Sequence, residues 1–270
     1  MLPQLTEASE FGPSEPPPSY RVVGVPVHAV QILDVISRIK TWIRSGVTGR
    51  YIAVTGMHGI AESWTDQLYK RTLLEADLVV PDGMPLVWLG RWHQHVLKRR
   101  VYGPELMETF CRETGSAYRH FFYGGDPGIA ERLANSLQQR FGTVAAGTYC
   151  PPFRPLTDEE LSDVTARIQA AKPDILWVGL STPKQEKWMY QNRERIQVPV
   201  MIGVGAAFDF NCGRTRQAPR WMQENGFEWL FRLSTEPKRL WRRYLVSTPK
   251  AAGLVFLELA GLLTPNPTVD

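Results

Sequence analysis

The chain is predicted to be an α/β protein: a Rossmann-like, mainly parallel sheet with helices on both faces, followed by a C-terminal helical appendage. Three observations carry this. From residue 21 onward, short β-rich runs alternate with longer segments of helical period, which is the rhythm of βα units. Several apolar runs end in Gly, Pro, Asp or Thr just before a helical segment, as strand-to-helix turns do. After residue 209 the strand pattern stops, and short basic pieces rich in aromatics replace it.

Taken in order, residues 1–20 hold Pro3, Pro13 and Pro16 to Pro18 with little apolar content, and read as a disordered lead-in. Residues 22–27 read as a first strand or hairpin arm. Val30, Leu33, Ile36, Ile39 and Ile43 recur at helical spacing and predict a helix over 29–45. Strand 51–54, helix 61–75, strand 78–80 and helices 85–92 and 104–114 follow. The second half repeats the rhythm with strand 120–123, helix 127–141 capped by Asp126, strand 144–149 and helix 158–171. Strand 175–180, helix 183–195 and strand 200–204 complete it. A polar loop is expected at 211–216, then three short helices started by Pro219, Phe227 and Pro237. The α/β core therefore spans 21–231, and a basic, amphipathic, membrane-facing appendage spans 232–270. Within it, 251–263 is apolar except for Glu258. That stretch is too short to cross a bilayer but suited to lie on one or to pack on a neighbour, which leaves a homo-oligomer open.

Composition narrows the class. With 43% hydrophobic and 21% charged residues, the chain can build a real core. Its net charge of +4 is modest, and no nucleic-acid motif accompanies it. Cys111, Cys150 and Cys212 are odd in number and far apart, without zinc or redox spacing. No signal-peptide pattern opens the sequence, so a cytoplasmic setting is expected. The run from Phe122 to Gly128 lacks the Gly-x-Gly-x-x-Gly spacing of a dinucleotide-binding oxidoreductase.

In an open parallel sheet, ligands sit outside the carboxyl ends of the strands. Five groups are expected along that rim: 55–59, 81–85, 124–128, 181–186 and 203–209. In the fourth, Ser181 or Thr182 suits an N-cap and Pro183 a first helical position. A helix N-terminus at a strand end is a prepared place for a nucleotide or phosphate. Asp82 reads either as a general base, its pKa raised between apolar walls, or as an Asx-turn former. Thr55 reads as a phosphate or hydroxyl ligand or as a turn residue. His58 is a second candidate base, or a packing residue. Gly124 and Gly125 admit close approach of backbone to a ligand, or simply serve a tight turn. Asp209 suits a ribose or sugar hydroxyl, or a cap, and Gln185 a sugar or base edge. Arg232, Lys238, Arg239, Arg242 and Arg243 are interleaved with Trp229, Phe231, Leu233, Leu240, Trp241 and Tyr244. Guanidinium forks there match diphosphate oxygens, and the tryptophans suit a membrane interface.

At these positions the chain resembles the WecG/TagA/CpsF family of bacterial glycosyltransferases. The resemblance rests on 76–83 (ADLVVPDG), 100–106 (RVYGPEL), 122–125 (FYGG), 183–188 (PKQEKW), 203–210 (GVGAAFDF), 216–222 (RQAPRWM), 228–233 (EWLFRL) and 236–244 (EPKRLWRRY). It implies inverting transfer of a sugar from a UDP-sugar to a polyprenyl-diphosphate-linked saccharide. The product would be a lipid-linked intermediate of an exopolysaccharide, capsule or wall polymer. It implies work at the inner membrane face, with neither a metal nor another cofactor. By the same likeness Asp82 is the base, Thr55, Gln185 and Asp209 line the donor pocket, and Arg232, Arg239 and Arg242 grip diphosphate. Many members carry Asn two residues after the Thr; here Met57 stands there, followed by His58, which leaves the donor and acceptor sugars open. A non-catalytic UDP-sugar-sensing partner of a polysaccharide synthase is the alternative.

Overall fold

The computed structural model describes residues 15–263. It opens with a hairpin, β1 (Ser19–Val22) paired antiparallel with β2 (Val25–His28). Val23 and Gly24 form the two-residue turn, both at positive φ, as a tight hairpin demands. Tyr20 is therefore part of a strand rather than of a lead-in. It is buried, and its hydroxyl donates to the Leu86 carbonyl at 2.6 Å. Residues 1–14 of the expected lead-in lie outside the described residues.

The hairpin is followed by α1 (Ile32–Ser45), β3 (Arg50–Thr55), α2 (Met57–Ser63), α3 (Gln67–Leu74), β4 (Leu78–Pro81), α4 (Met84–Trp92) and α5 (Gly103–Thr114). The helix expected over 61–75 is thus two helices. The Asp66 carboxylate restarts the chain as the cap of α3, accepting from the Tyr69 N–H at 3.0 Å. Next come β5 (Arg119–Gly124), α6 (Ile129–Phe141), β6 (Val144–Tyr149), α7 (Asp158–Ala171), β7 (Ile175–Gly179), α8 (Lys184–Ile196) and β8 (Val200–Gly203). Thr157 and Glu160 close a capping box on α7. Asp126 does not cap α6. Left-handed Gly128 holds that position, and the Asp126 carboxylate is drawn into an ion pair with Arg214.

All neighbours in the six-stranded sheet are parallel, in the order β4-β3-β8-β7-β5-β6. Side chains alternate across it, so each strand feeds two cores. Ile52, Phe122, Trp177 and Ile202 join Ile36 and Ile39 of α1, Phe110 of α5 and Leu133 of α6 on one face. Tyr51, Tyr123, Val178 and Met201 join Val164 and Ile168 of α7 and Met189 of α8 on the other. Ala53 and Val79 pack against Ile60 of α2, Leu73 of α3 and the hairpin.

Beyond the sheet lie α9 (Ala207–Asn211), α10 (Arg220–Glu224), α11 (Glu228–Thr235), α12 (Pro237–Arg242), a π-helical turn (Arg243–Ser247) and α13 (Thr248–Leu259). Helix α11 runs through the 231/232 boundary suggested by composition. On α13, Ala251 and Val255 are buried, while Phe256, Leu259 and Leu262 beyond its end are exposed. Glu258, the one acid of that stretch, accepts from the Val23 N–H at 2.7 Å and ties α13 to the hairpin. No helix among the described residues is long and apolar enough to cross a membrane.

Candidate active site

The carboxyl ends of β3 and β4 are held in register, Thr55 beside Pro81. Just beyond, the Thr55 carbonyl accepts from the Asp82 N–H at 2.9 Å, which pins the acid's backbone to the end of β3. Gly83 follows at φ 141°, a conformation that L side chains rarely adopt, and releases the chain into α4. Helix α11, the π turn and the start of α13 fold back over these two loops. Together they enclose a cavity of about 650 Å³.

Its buried wall is charged. Arg100 is ion-paired with Glu228, which also accepts from the Tyr102 hydroxyl at 2.9 Å. The Arg100 guanidinium lies 4.1 Å from the centroid of the Tyr102 ring. This triad joins the segment before α5 to the start of α11 and holds the cover in place. Beside it, Asp82 lines the cavity with Oδ1 buried and without a hydrogen-bond partner. Burial pushes its pKa above the ordinary carboxylate value; Arg100 and Arg243 oppose the rise. His58 lines the same cavity, and burial holds its pKa well below the usual imidazole value, with Arg243 and Arg232 acting in the same direction. It is therefore neutral near pH 7.

Two arginines complete the wall. Arg232 is 7% exposed, lies 5.3 Å from the Phe210 ring centroid, and has a buried Nε with no acceptor. Arg243 sits at the start of the π turn, where its carbonyl accepts from the Thr248 hydroxyl at 2.9 Å. Burial and the nearby Arg232 lower its pKa. An unpartnered carboxylate oxygen, two arginines and an enclosing apolar rim make a wall of the kind that can take a proton from a hydroxyl and stabilise an anion.

The cavity gathers three of the sequence candidates: His58, Asp82 and Arg232. The others sit elsewhere. Arg242 is exposed, with its guanidinium 5.6 Å from the Trp241 ring centroid. One residue turns a helix by ~100°, so Arg243 takes the inward face and Arg242 does not. The side chain of Arg239 lies outside the described residues. Thr55 is buried, with its hydroxyl 3.3 Å from that of Tyr69. Gln185 is 2% exposed, and its amide is used on both ends: Oε1 accepts from the Gly205 N–H and Nε2 donates to Glu186, each at 2.9 Å. Gly124 and Gly125 serve packing. A Cβ on Gly124 would fall 2.5 Å from the Gly179 carbonyl oxygen, and one on Gly125 would fall 2.9 Å from Ile129. Asp209 lies outside the cavity, 3.3 Å from Arg214. Nor does the strand-to-helix turn at 181–184 cap as expected: the Thr182 hydroxyl donates to Glu186 at 2.8 Å rather than accepting from α8.

Sequence reasoning gave no site role to Arg100, Tyr102 or Glu228, and counted Arg243 only among the five cations of the basic segment suited to diphosphate oxygens. The first three meet across 126 and 128 residues of chain, so no local spacing reveals them. Among the described residues, no group of three or more His, Cys, Asp or Glu side chains is placed to share a metal ion.

The family model described as glycosyl transferase WecG/TagA/CpsF matches residues 20–264. The chain is similar to the N-acetylglucosaminyldiphosphoundecaprenol N-acetyl-beta-D-mannosaminyltransferases of Staphylococcus aureus strains MRSA252 and NCTC 8325 / PS 47. Each is 27% identical over 223 residues, covering 82% of this chain and 86% of the relative. The family match spans the hairpin, the whole sheet and the helices that cover the cavity, and the chain belongs to the WecG/TagA/CpsF family of glycosyl transferases.

Proposed function

We propose that the chain is an inverting glycosyltransferase that moves a sugar from a UDP-sugar to a polyprenyl-diphosphate-linked saccharide, in the assembly of a cell-envelope or exopolysaccharide polymer. The relatives' names point to the same acceptor class, an N-acetylglucosaminyl diphosphoundecaprenol. The observation that carries the reading is the orphan Oδ1 of Asp82 in a cavity shared with Arg232 and Arg243. Asp82 takes the proton of an acceptor hydroxyl. The freed oxygen forms the new bond to the anomeric carbon from the face opposite UDP, and the bond to UDP breaks with its electron pair leaving on the diphosphate. One displacement inverts the centre. The cavity arginines hold the anionic acceptor with its hydroxyl beside Asp82.

In this reading the donor lies along the rim toward Gly205 and Asp209. Thr55 and Gln185 then act from beneath: Thr55 by holding the Asp82 backbone, Gln185 by fixing the Gly205 N–H. His58, held neutral, supplies a hydrogen bond rather than a charge. Exposed Trp241, Leu245, Phe256 and Leu259, with Arg242 among them, suit the inner face of the plasma membrane, where the protein would bind peripherally from the cytoplasm. The test is UDP release from a panel of UDP-sugars with a polyprenyl-diphosphate-saccharide acceptor. Asp82→Asn is expected to lower turnover by ~100- to 10,000-fold, the usual contribution of a general base, while UDP binding persists. Near-normal transfer by that variant would refute the assignment.

A further inference from the structure

The cavity has an inverted polarity. Its buried wall carries the charged groups, whereas the lining residues that reach solvent are mostly apolar: Trp88 at 50%, Phe227 at 46% and Leu245 at 58% exposure, with Pro249 and Ala252 of α13 also exposed. A pocket for a wholly soluble ligand gains nothing from such a mouth, because exposed apolar surface is costly in water unless something covers it. The apolar surface also continues outward on both sides. Trp92, one turn beyond Trp88 on α4, is 72% exposed, and Phe256, one turn beyond Ala252 on α13, is 68% exposed.

The buried wall states what the other end of the ligand must be. Arg232 offers a buried Nε that lacks an acceptor, and Asp82 offers a buried Oδ1 that lacks a donor. Among the described residues the Arg243 guanidinium makes no ion pair, and it lies 5.6 Å from the Tyr244 ring centroid. An anion beside a hydroxyl satisfies all three, and an apolar tail on the same molecule covers the mouth.

Resting on the proposed transferase reading, we infer that the acceptor enters head first. Its saccharide meets Asp82, its diphosphate meets Arg232 and Arg243, and its first isoprene units leave between Trp88 of α4 and Leu245 and Pro249 of the cover. The wall of α4 and the π turn thus form an isoprenoid channel, and the cavity selects its acceptor by the lipid as well as by the sugar.

The test is equilibrium binding of geranyl, farnesyl and geranylgeranyl diphosphates, below their micellar concentrations, to the full chain and to Trp88→Ala and Leu245→Ser variants. UDP release from UDP-sugar with a polyprenyl-diphosphate-saccharide is measured alongside. Affinity is expected to rise about 3- to 10-fold per isoprene unit for partial burial of its five carbons, and each variant is expected to flatten that gradient. Equal affinity for all three lengths would overturn the channel. So would variants that weaken binding to phosphatidylglycerol vesicles yet keep the gradient, which would make the mouth a bilayer seat. Because the binding arm needs no turnover, the two readings fail separately. A gradient without UDP release leaves the channel standing and removes the transferase; UDP release without a gradient does the reverse.

Discussion

Glu186 offers a direct test of how the site is supported. It is fully buried in the first turn of α8, where Oε1 accepts from Thr182 and Gln185 and Oε2 has no partner. Burial raises its pKa from 4.5 to about 7, against the lowering from those two hydrogen bonds. A raised folded-state pKa means that the folded protein holds the proton more tightly than the unfolded chain. The stabilisation is complete below the unfolded value and is lost as pH rises through the folded one. From pH 4.5 to about 7, that loss amounts to roughly 3 kcal/mol at about 1.4 kcal/mol per pH unit. Glu186→Gln keeps the acceptor at Oε1 and mimics the neutral acid, so it does not titrate. Thermal melts of both proteins should coincide near pH 4.5 and diverge toward pH 7, with the variant more stable. At ~2–4 °C per kcal/mol for a chain of this size the gap should approach 10 °C, and it should stay constant at higher pH. A Tm difference that does not change with pH, or a variant less stable at pH 8, would refute the buried-acid reasoning.

Four further outcomes follow from the geometry. Asp82→Asn should retain UDP while losing transfer, and wild-type turnover should fall on the acid side as the raised Asp82 pKa is passed; steady-state rates across pH check both. Arg243→Gln should slow transfer by ~10- to 1000-fold if its cation positions the acceptor's diphosphate, whereas Arg242→Gln should stay close to wild type on a detergent-dispersed acceptor. Gly59→Ala should destabilise rather than stabilise α2, by ~1–3 kcal/mol of overpacking, because its Cβ would fall 2.1 Å from the Thr55 hydroxyl; urea titration measures this. Glu258→Ala should loosen α13 by removing the acceptor of the Val23 N–H, seen as faster amide exchange in Thr248–Leu259 while the sheet keeps its protection.

Much of the architecture was legible in the chain itself. Apolar runs with period 2 and segments with period 3.6 are local properties, so strands β3 to β8 and most helices lie within a few residues of their expected places. The same holds for Asp82, which stands alone as an acid in a short strand-to-helix turn, and for the basic character of the segment that covers it. Family motifs recorded the rest of the likeness in contiguous runs.

What the tertiary structure decided is which of the rim residues share a space. Five strand ends are equivalent to a reader of sequence, yet only the β3 and β4 ends open into the cavity, because α11 and the π turn fold back over those two. Gln185 and Thr55 look like ligand contacts from their position but spend their polar groups beneath the site. The Arg100–Glu228–Tyr102 triad joins residues more than 120 apart in the chain, a separation at which no periodicity survives. The exchange of Arg242 for Arg243 has the plainest cause: a sequence run lists adjacent cations as equals, while a helix separates neighbouring side chains by ~100° and only packing chooses which one turns inward.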